Sequence, residues 1–364
     1  MGLVTLNMLF RARPQNPPGE IVHGALDHRE LSALGLSPDD VLDFSSNTNP
    51  FGPAPGVRAA LASSPLDRYP DRESHDLRAA LSHRLHLPVE NILAGNGASE
   101  LIWLAGLAFL QPGDAVLIVG PTYGEYARAA ALAGAEPRFC SAQAADGFRL
   151  PPAAVEAALA EVAPRLVFVC HPNNPTGALL PLENLADWTK TYRQTLFVVD
   201  EAYLEFSGAA SALTLTAENV LVLRSMTKAY ALAGLRLGFA LGAPPLIEAL
   251  RRVRPPWSVN ALAQAAGVAA LADPGHLAAS LVELAAAKQR LVADLAAIGL
   301  VPSESATSFL LLNIGRAGRL RADLLRRGLL VRDCASLGLP EYIRISVQRP
   351  EHNARLVAAL REIL

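Results

Sequence analysis

Four short stretches carry residue types that converge on one chemistry: Pro172-Asn173-Asn174-Pro175-Thr176-Gly177, Asp200-Glu201-Ala202-Tyr203, Ser225-Met226-Thr227-Lys228, and Arg236 just before Leu237-Gly238. In that order they supply an amide, an acid with a phenol, a hydroxyl-flanked lysine and an arginine. A phosphorylated pyridine aldehyde needs such a set. Its phosphate must be neutralised, its ring nitrogen kept protonated, its phenolic oxygen hydrogen-bonded, and its aldehyde condensed with an amine. The residues therefore predict pyridoxal 5'-phosphate as cofactor.

Asp200 ends an apolar run, where a carboxylate pairs with a pyridinium nitrogen and keeps the ring an electron sink. An acid there also suits a helix cap or a Mg²⁺ ligand. The chain has no G-x-x-x-x-G-K-[ST] stretch, which takes most of the weight from that alternative. A lone lysine is ordinarily solvated, but Lys228 follows an apolar strand in a chain with few lysines. Burial there lowers its basicity and makes it a nucleophile.

Gly95-Asn96-Gly97-Ala98-Ser99-Glu100 opens a helix whose first N–H groups suit a phosphate; the third glycine of a dinucleotide loop is absent. Arg236 completes that phosphate site with a charge-assisted pair. Tyr123 has two readings of comparable weight, stacking on a flat ring or ordinary aromatic packing. Arg332 and Arg344 lie at or in short apolar strands, where a cation is costly unless paired. They read as clamps for substrate phosphate and carboxylate; ion pairing with acids such as Asp333 is the alternative.

The bulk numbers bound the rest. The chain has 364 residues, 51% of them hydrophobic, and a net charge of −2. That permits two or three domains with large cores and gives no general surface for nucleic acid or acidic membrane. The three cysteines, Cys140, Cys170 and Cys334, are odd in number and widely spaced, without a CxxC pattern. Reduced thiols are expected, with no metal site. Leu101 to Leu110 is too short to span a bilayer, and Met1 to Phe10 lacks a basic leader. A cytoplasmic protein without membrane contact is expected.

The elements that must position these groups alternate. Val116–Val119, Leu166–Val169, Leu196–Val199, Val220–Leu223 and Leu237–Leu241 read as fully apolar strands separated by helical stretches. This predicts an α/β fold, a large domain with a mostly parallel sheet between helices, plus a smaller α+β domain. Asn174, Asp200 and the Ser225–Lys228 stretch all follow strands, where open sheets bind ligands. Residues 1–48 are expected to form an N-terminal arm and part of the small domain, 49–252 the large domain, and 253–364 the small C-terminal domain. Asn260 to Ile298 reads as two helices broken at Asp273-Pro274-Gly275, and the tail as mixed strands and helices, with Leu329–Arg332 among the strands.

Taken together, these motifs resemble the fold-type I, aspartate-aminotransferase-like enzymes that use pyridoxal phosphate, from about His23 to the C-terminus. The resemblance implies that Lys228 forms the Schiff base, that Asp200 pairs with the pyridine nitrogen, and that Asn174 and Tyr203 bind the ring oxygen. It implies that Tyr123 stacks and that Ala98, Ser99, Ser225, Thr227 and Arg236 hold the phosphate. Thr227 departs from the usual serine but keeps the hydroxyl. Arg344 would clamp the substrate carboxylate. Tyr69 looks like the tyrosine that reaches the partner subunit's cofactor phosphate, which implies a homodimer.

The branch resembled holds histidinol-phosphate aminotransferases and threonine-phosphate decarboxylases. His23-Gly24, the loop Asp43 to Pro50 with Thr48 in place of a glutamate, and the Arg332 to Ile345 tail look more like the decarboxylases. The expectation is therefore decarboxylation of L-threonine O-3-phosphate to aminopropanol phosphate, a step of cobalamin biosynthesis, with His23, Asn174, Arg332 and Arg344 on the substrate. The alternative is amino transfer of the histidinol-phosphate type to 2-oxoglutarate. Either substrate is a small phosphorylated amino acid or amine. A cofactor-binding regulator lacks support, because no basic DNA-binding module is spare.

Overall fold

The computed structural model describes residues 24–364; the expected contact from His23 lies outside them. In chain order the strands are β1 (Leu42–Asp43), β2 (Ile92–Gly95), β3 (Ala115–Gly120), β4 (Glu136–Ser141), β5 (Leu166–Cys170), β6 (Leu196–Asp200), β7 (Val220–Ser225), β8 (Gly238–Gly242), β9 (Phe309–Asn313), β10 (Leu329–Leu330), β11 (Arg332–Asp333) and β12 (Tyr342–Ser346).

β2 to β8 form a seven-stranded sheet in the order β2-β8-β7-β6-β5-β3-β4. The five strands from β7 to β4 are mutually parallel, and β8 runs antiparallel to both β7 and β2. Every residue of β5, β6 and β7 is buried. Alternate side chains feed two cores, with Val167, Val169, Phe197 and Val199 on one face and Leu166, Phe168 and Val198 on the other. Two covered faces explain why these strands are apolar without alternation. β4 is one of the two edge strands, largely exposed, and holds Glu136, Pro137 and Arg138. Charge and proline there block further pairing and also hide the strand from an apolar-run reading.

A second, three-stranded antiparallel sheet has the order β11-β12-β9. The long helix Pro274–Ala296 lays Leu284, Ala287, Leu291 and Leu295 into its core, with Leu356 and Leu360 of the C-terminal helix Pro350–Ile363. The single strand expected at Leu329–Arg332 is two. β10 pairs in parallel with β1, and β11 pairs with β12. The N-terminal segment thus packs on the late part of the chain, where Phe44 is fully buried.

The helix Ala261–Ala272 places Ala263, Ala266 and Ala270 in the core of the large sheet, beside Leu77 and Leu81. That core therefore reaches past residue 252, and the change of partner falls at Asp273. Its side chain accepts from His276 N and caps the long helix. Among the described residues no single helix is long and apolar enough to cross a membrane. Ala261–Ala272 and Pro274–Ala296 meet that test only as a pair bent by 78°.

Candidate active site

The carboxyl ends of β5, β6 and β7 deliver the site, as open α/β sheets do. Cys170 pairs in register with Asp200, and Ser225 with Gly238. An inner pocket of about 100 Å³ is lined by Ala98, Ser99, Asn174, Asp200, Ser225 and Lys228, with Tyr123, Tyr126, Tyr203, Thr227 and Arg236. It opens into an outer cavity of about 780 Å³ that reaches Asn47, Arg332 and Arg344.

Asp200 is 4% exposed. Its Oδ2 accepts from Tyr126 Oη at 2.8 Å and its Oδ1 from Ala202 N at 3.0 Å. Burial pushes its pKa up, and the two donors pull it down. Beneath it, Arg224 donates from Nε to Glu201 at 2.7 Å and from Nη1 to Glu205 at 2.9 Å. This buried ion triad ties the ends of β6 and β7 together. Lys228 is pulled down to about 8, first by burial and then by the positive charges of Arg344 and Arg236. Its Nζ lies 6.0 Å from the centre of the Tyr203 ring. Burial also pushes the Tyr203 phenol well up; its oxygen accepts from Asn47 Nδ2 at 3.3 Å.

A phosphate cradle stands at the other end. The helix Gly97–Phe109 starts without a side-chain cap, so its first N–H groups are open to an anion. Gly97 has φ +78°, and a Cβ there would lie 2.8 Å from Arg236 Nη2. A Cβ on Gly238 would lie 2.7 Å from Ala98 N and 2.8 Å from Arg224 O. Both glycines are therefore required by close approach. Ser225 Oγ and Thr227 Oγ1 are 2.7 Å apart, and Ser99 Oγ is 3.4 Å from Tyr123 Oη.

At the outer wall, Arg344 donates from Nη1 to Asn174 Oδ1 at 2.5 Å and from Nη2 to Ser45 O at 2.6 Å. Its Nε is buried without a partner among the described residues, as is Asn47 Oδ1. Such orphaned polar atoms mark where a ligand is to be met. Arg332 pairs in register with Arg344 across β11 and β12 and donates to Ser336 Oγ at 2.7 Å.

This donor set fits pyridoxal phosphate: an amine of lowered pKa, a buried carboxylate, a phenol with an amide, and an anion cradle at a helix start. All the sequence-chosen cofactor residues but Tyr69 line the inner pocket. Tyr69 is 78% exposed and stacks on Trp257 at 4.6 Å. Sequence reasoning missed Tyr126, Asn47 and Phe309. The first stands one helical turn after Tyr123, and the second lies within a loop already singled out. Phe309 lies under Tyr203, ring centres 5.0 Å apart, and 5.5 Å from the Arg344 guanidinium. Only the tertiary fold brings it there.

Fold and site define an enzyme of the fold-type I, pyridoxal-phosphate-dependent superfamily. More particularly, residues 39–360 match the family model of aminotransferase class I and II, and the chain belongs to that family. It is 38% identical over 339 residues to histidinol-phosphate aminotransferase 1 of Thiobacillus denitrificans, covering 91% of this chain and 87% of that one. The solved histidinol-phosphate aminotransferase of Sinorhizobium meliloti, in complex with pyridoxal-5'-phosphate, superposes with TM-score 0.84 at 28% identity, over 97% of this chain and 98% of that one. L-threonine-O-3-phosphate decarboxylase of Porphyromonas gingivalis gives TM-score 0.77 at 26% identity, over 88% and 98%.

These comparisons overturn the decarboxylase expectation and its link to cobalamin. Curated relatives sharing 36–39% identity over 91% of this chain are consistently named histidinol-phosphate aminotransferases. The structure shows why the loop misled. Asp43 Oδ1 accepts from Ser45 N and Oγ, its Oδ2 accepts from Ser46 Oγ, and Asn49 N donates to Lys228 O at 3.0 Å. The loop's polar residues brace the site, a task common to both reactions.

Proposed function

We propose that this protein is an aminotransferase of the histidinol-phosphate type, moving an amino group between a small phosphorylated amine and 2-oxoglutarate. Full-length similarity to enzymes of that name carries the reading. Two guanidiniums on neighbouring strands, Arg332 and Arg344, support it, since donor and acceptor both bring anions to the outer cavity.

When bound, pyridoxal phosphate supplies an aldehyde and an electron-accepting ring. Lys228 Nζ would hold it covalently and would carry the proton at the substrate Cα. A pKa near 8 lets that nitrogen both take and return a proton close to neutral pH. Asp200 would hold the ring nitrogen, Asn174 and Tyr203 the ring oxygen, and Tyr123 would cover the ring face. Ala98 N, Ser99, Ser225, Thr227 and Arg236 take the phosphate. Arg344 takes a carboxylate, and Arg332 the second anion.

A homodimer is part of the same reading, supported by the exposed Tyr69–Trp257 pair, whose tyrosine would reach the partner's cofactor. So is a cytoplasmic setting, supported by three free cysteines. Histidinol phosphate with 2-oxoglutarate and, separately, threonine phosphate test the function. Glutamate formation and a pyridoxamine spectrum are expected from the first and no CO₂ from the second. Failure of transfer from histidinol phosphate ends the reading.

A further inference from the structure

The chain has three lysines. Lys228 lines the site, and Lys190 is exposed beside Asp187. Lys288 sits partly buried on the inner side of the long helix Pro274–Ala296. Among the described residues it has no carboxylate partner. Its Nζ instead donates to two backbone carbonyls of one turn, Ser305 O at 2.5 Å and Thr307 O at 2.7 Å. Two charge-assisted bonds from one ammonium tie that turn to the helix.

That turn touches the site in two directions. Ala306 N donates to Gly177 O at 2.9 Å, in the loop that carries Asn174. The approach is so close that a Cβ on Gly177 would meet Ser305 Oγ at 2.1 Å. On its other side, Ser305 Oγ donates to Phe309 O at 2.7 Å. Phe309 is fully buried, with the Tyr203 ring centre 5.0 Å and the Arg344 guanidinium 5.5 Å from its own ring centre. Asn174, Tyr203 and Arg344 are thus each one or two contacts from a single turn. The same helix also reaches the cofactor lysine, since Ser280 Oγ accepts from Asn49 Nδ2 at 2.8 Å and Asn49 bonds Lys228 O and Ala229 O.

We propose that Lys288 is a positioning residue: by gripping the Ser305–Thr307 turn it sets Asn174, Tyr203 and Arg344 at the cofactor's oxygen and the substrate anion. Among the described residues no other side chain donates to both carbonyls. The inference rests on the pyridoxal-phosphate reading of the site but not on which amine is the substrate.

The test compares wild type with Lys288→Met and Lys288→Arg in the full-length chain. Without cofactor, hydrogen exchange should speed at least tenfold in Lys288→Met at residues 173–178 and 305–309, and remain unchanged across β5 to β7. With cofactor, the pH midpoint of the visible absorbance band should shift, because Asn174 and Tyr203 would hold the ring oxygen. KM for 2-oxoglutarate should rise at least tenfold, with a smaller fall in kcat. Lys288→Arg, which keeps donors for both carbonyls, should return all three readouts to within about threefold of wild type. If Lys288→Met does not fold, Lys288→Gln takes its place with the same expectations.

Unchanged exchange at both segments and an unmoved absorbance midpoint overturn the proposal. So does a lower melting temperature with exchange raised everywhere and KM unaltered, which marks a merely structural lysine. A chain that never binds cofactor, yet shows the local change in exchange, instead refutes the reading of the site.

Discussion

Tyr126→Phe removes one hydroxyl and leaves a buried, apolar ring of nearly the same shape. Tyr126 is fully buried and stacks on Phe168 at 4.9 Å, so the packing survives. The loss is the 2.8 Å bond to Asp200 Oδ2. Burial already pushes this carboxylate above its ordinary 3.8, with Tyr126 and the Ala202 N–H acting against it. A hydrogen bond to a charged group is worth about 1.5–3 kcal/mol. Losing it moves Asp200 further up, and about 1.4 kcal/mol per pH unit sets the size of the change the assay reads. Only the ionised carboxylate holds a pyridinium, so affinity for the ring falls as pH drops through the Asp200 pKa. The assay is binding of pyridoxine 5'-phosphate to cofactor-free protein between about pH 5 and 8. Its alcohol in place of the aldehyde leaves Lys228 out of the reaction. The acid limb of the variant should begin roughly one to two pH units higher than that of wild type. Limbs that overlay would show that Asp200 owes nothing to Tyr126.

Capture of pyridoxal phosphate by the cofactor-free chain should quicken about tenfold per pH unit and level off above pH 8, because the amine attacks only when unprotonated and Lys228 is held at about 8; stopped-flow absorbance reads this. Gly238→Ala places a Cβ 2.7 Å from Ala98 N and should cost about 1–3 kcal/mol of stability, with a weaker phosphate grip, seen in melting curves and cofactor titration. Arg344→Ala strands Asn174 Oδ1 and Ser45 O and removes the proposed carboxylate clamp. KM for 2-oxoglutarate should rise roughly 10- to 100-fold, from the worth of one charge-assisted bond.

The sequence was legible where one residue does one job. Asp200, Lys228 and Ser225 close or follow strands whose apolar runs mark them, and burial on both faces of the sheet is what makes those runs apolar. β4 escaped because an exposed edge strand selects charge and proline instead. Leu329–Arg332 read as one strand because local pattern does not encode that its halves pair with different partners. Tyr126 and Phe309 escaped for a related reason. Their roles lie in contacts to Asp200 and Tyr203 made across the fold, with no spacing in the chain to announce them. The choice between lyase and transferase was illegible because both reactions use the same amine, acid and arginines.

The pairing of Leu42 with Leu329 and of Asp43 with Leu330 has a consequence for how the chain is made. At ribosomal rates of about 5–20 residues per second, β1 emerges roughly 15 to 60 s before its partner exists. All seven strands of the large sheet are translated in that interval. Meanwhile Leu31, Val41 and Phe44, buried in the finished molecule against late residues, have nothing to cover them. The nascent protein thus offers an early greasy segment to chaperones until Leu330 has been made, and a product cut short before Leu330 keeps that segment bare.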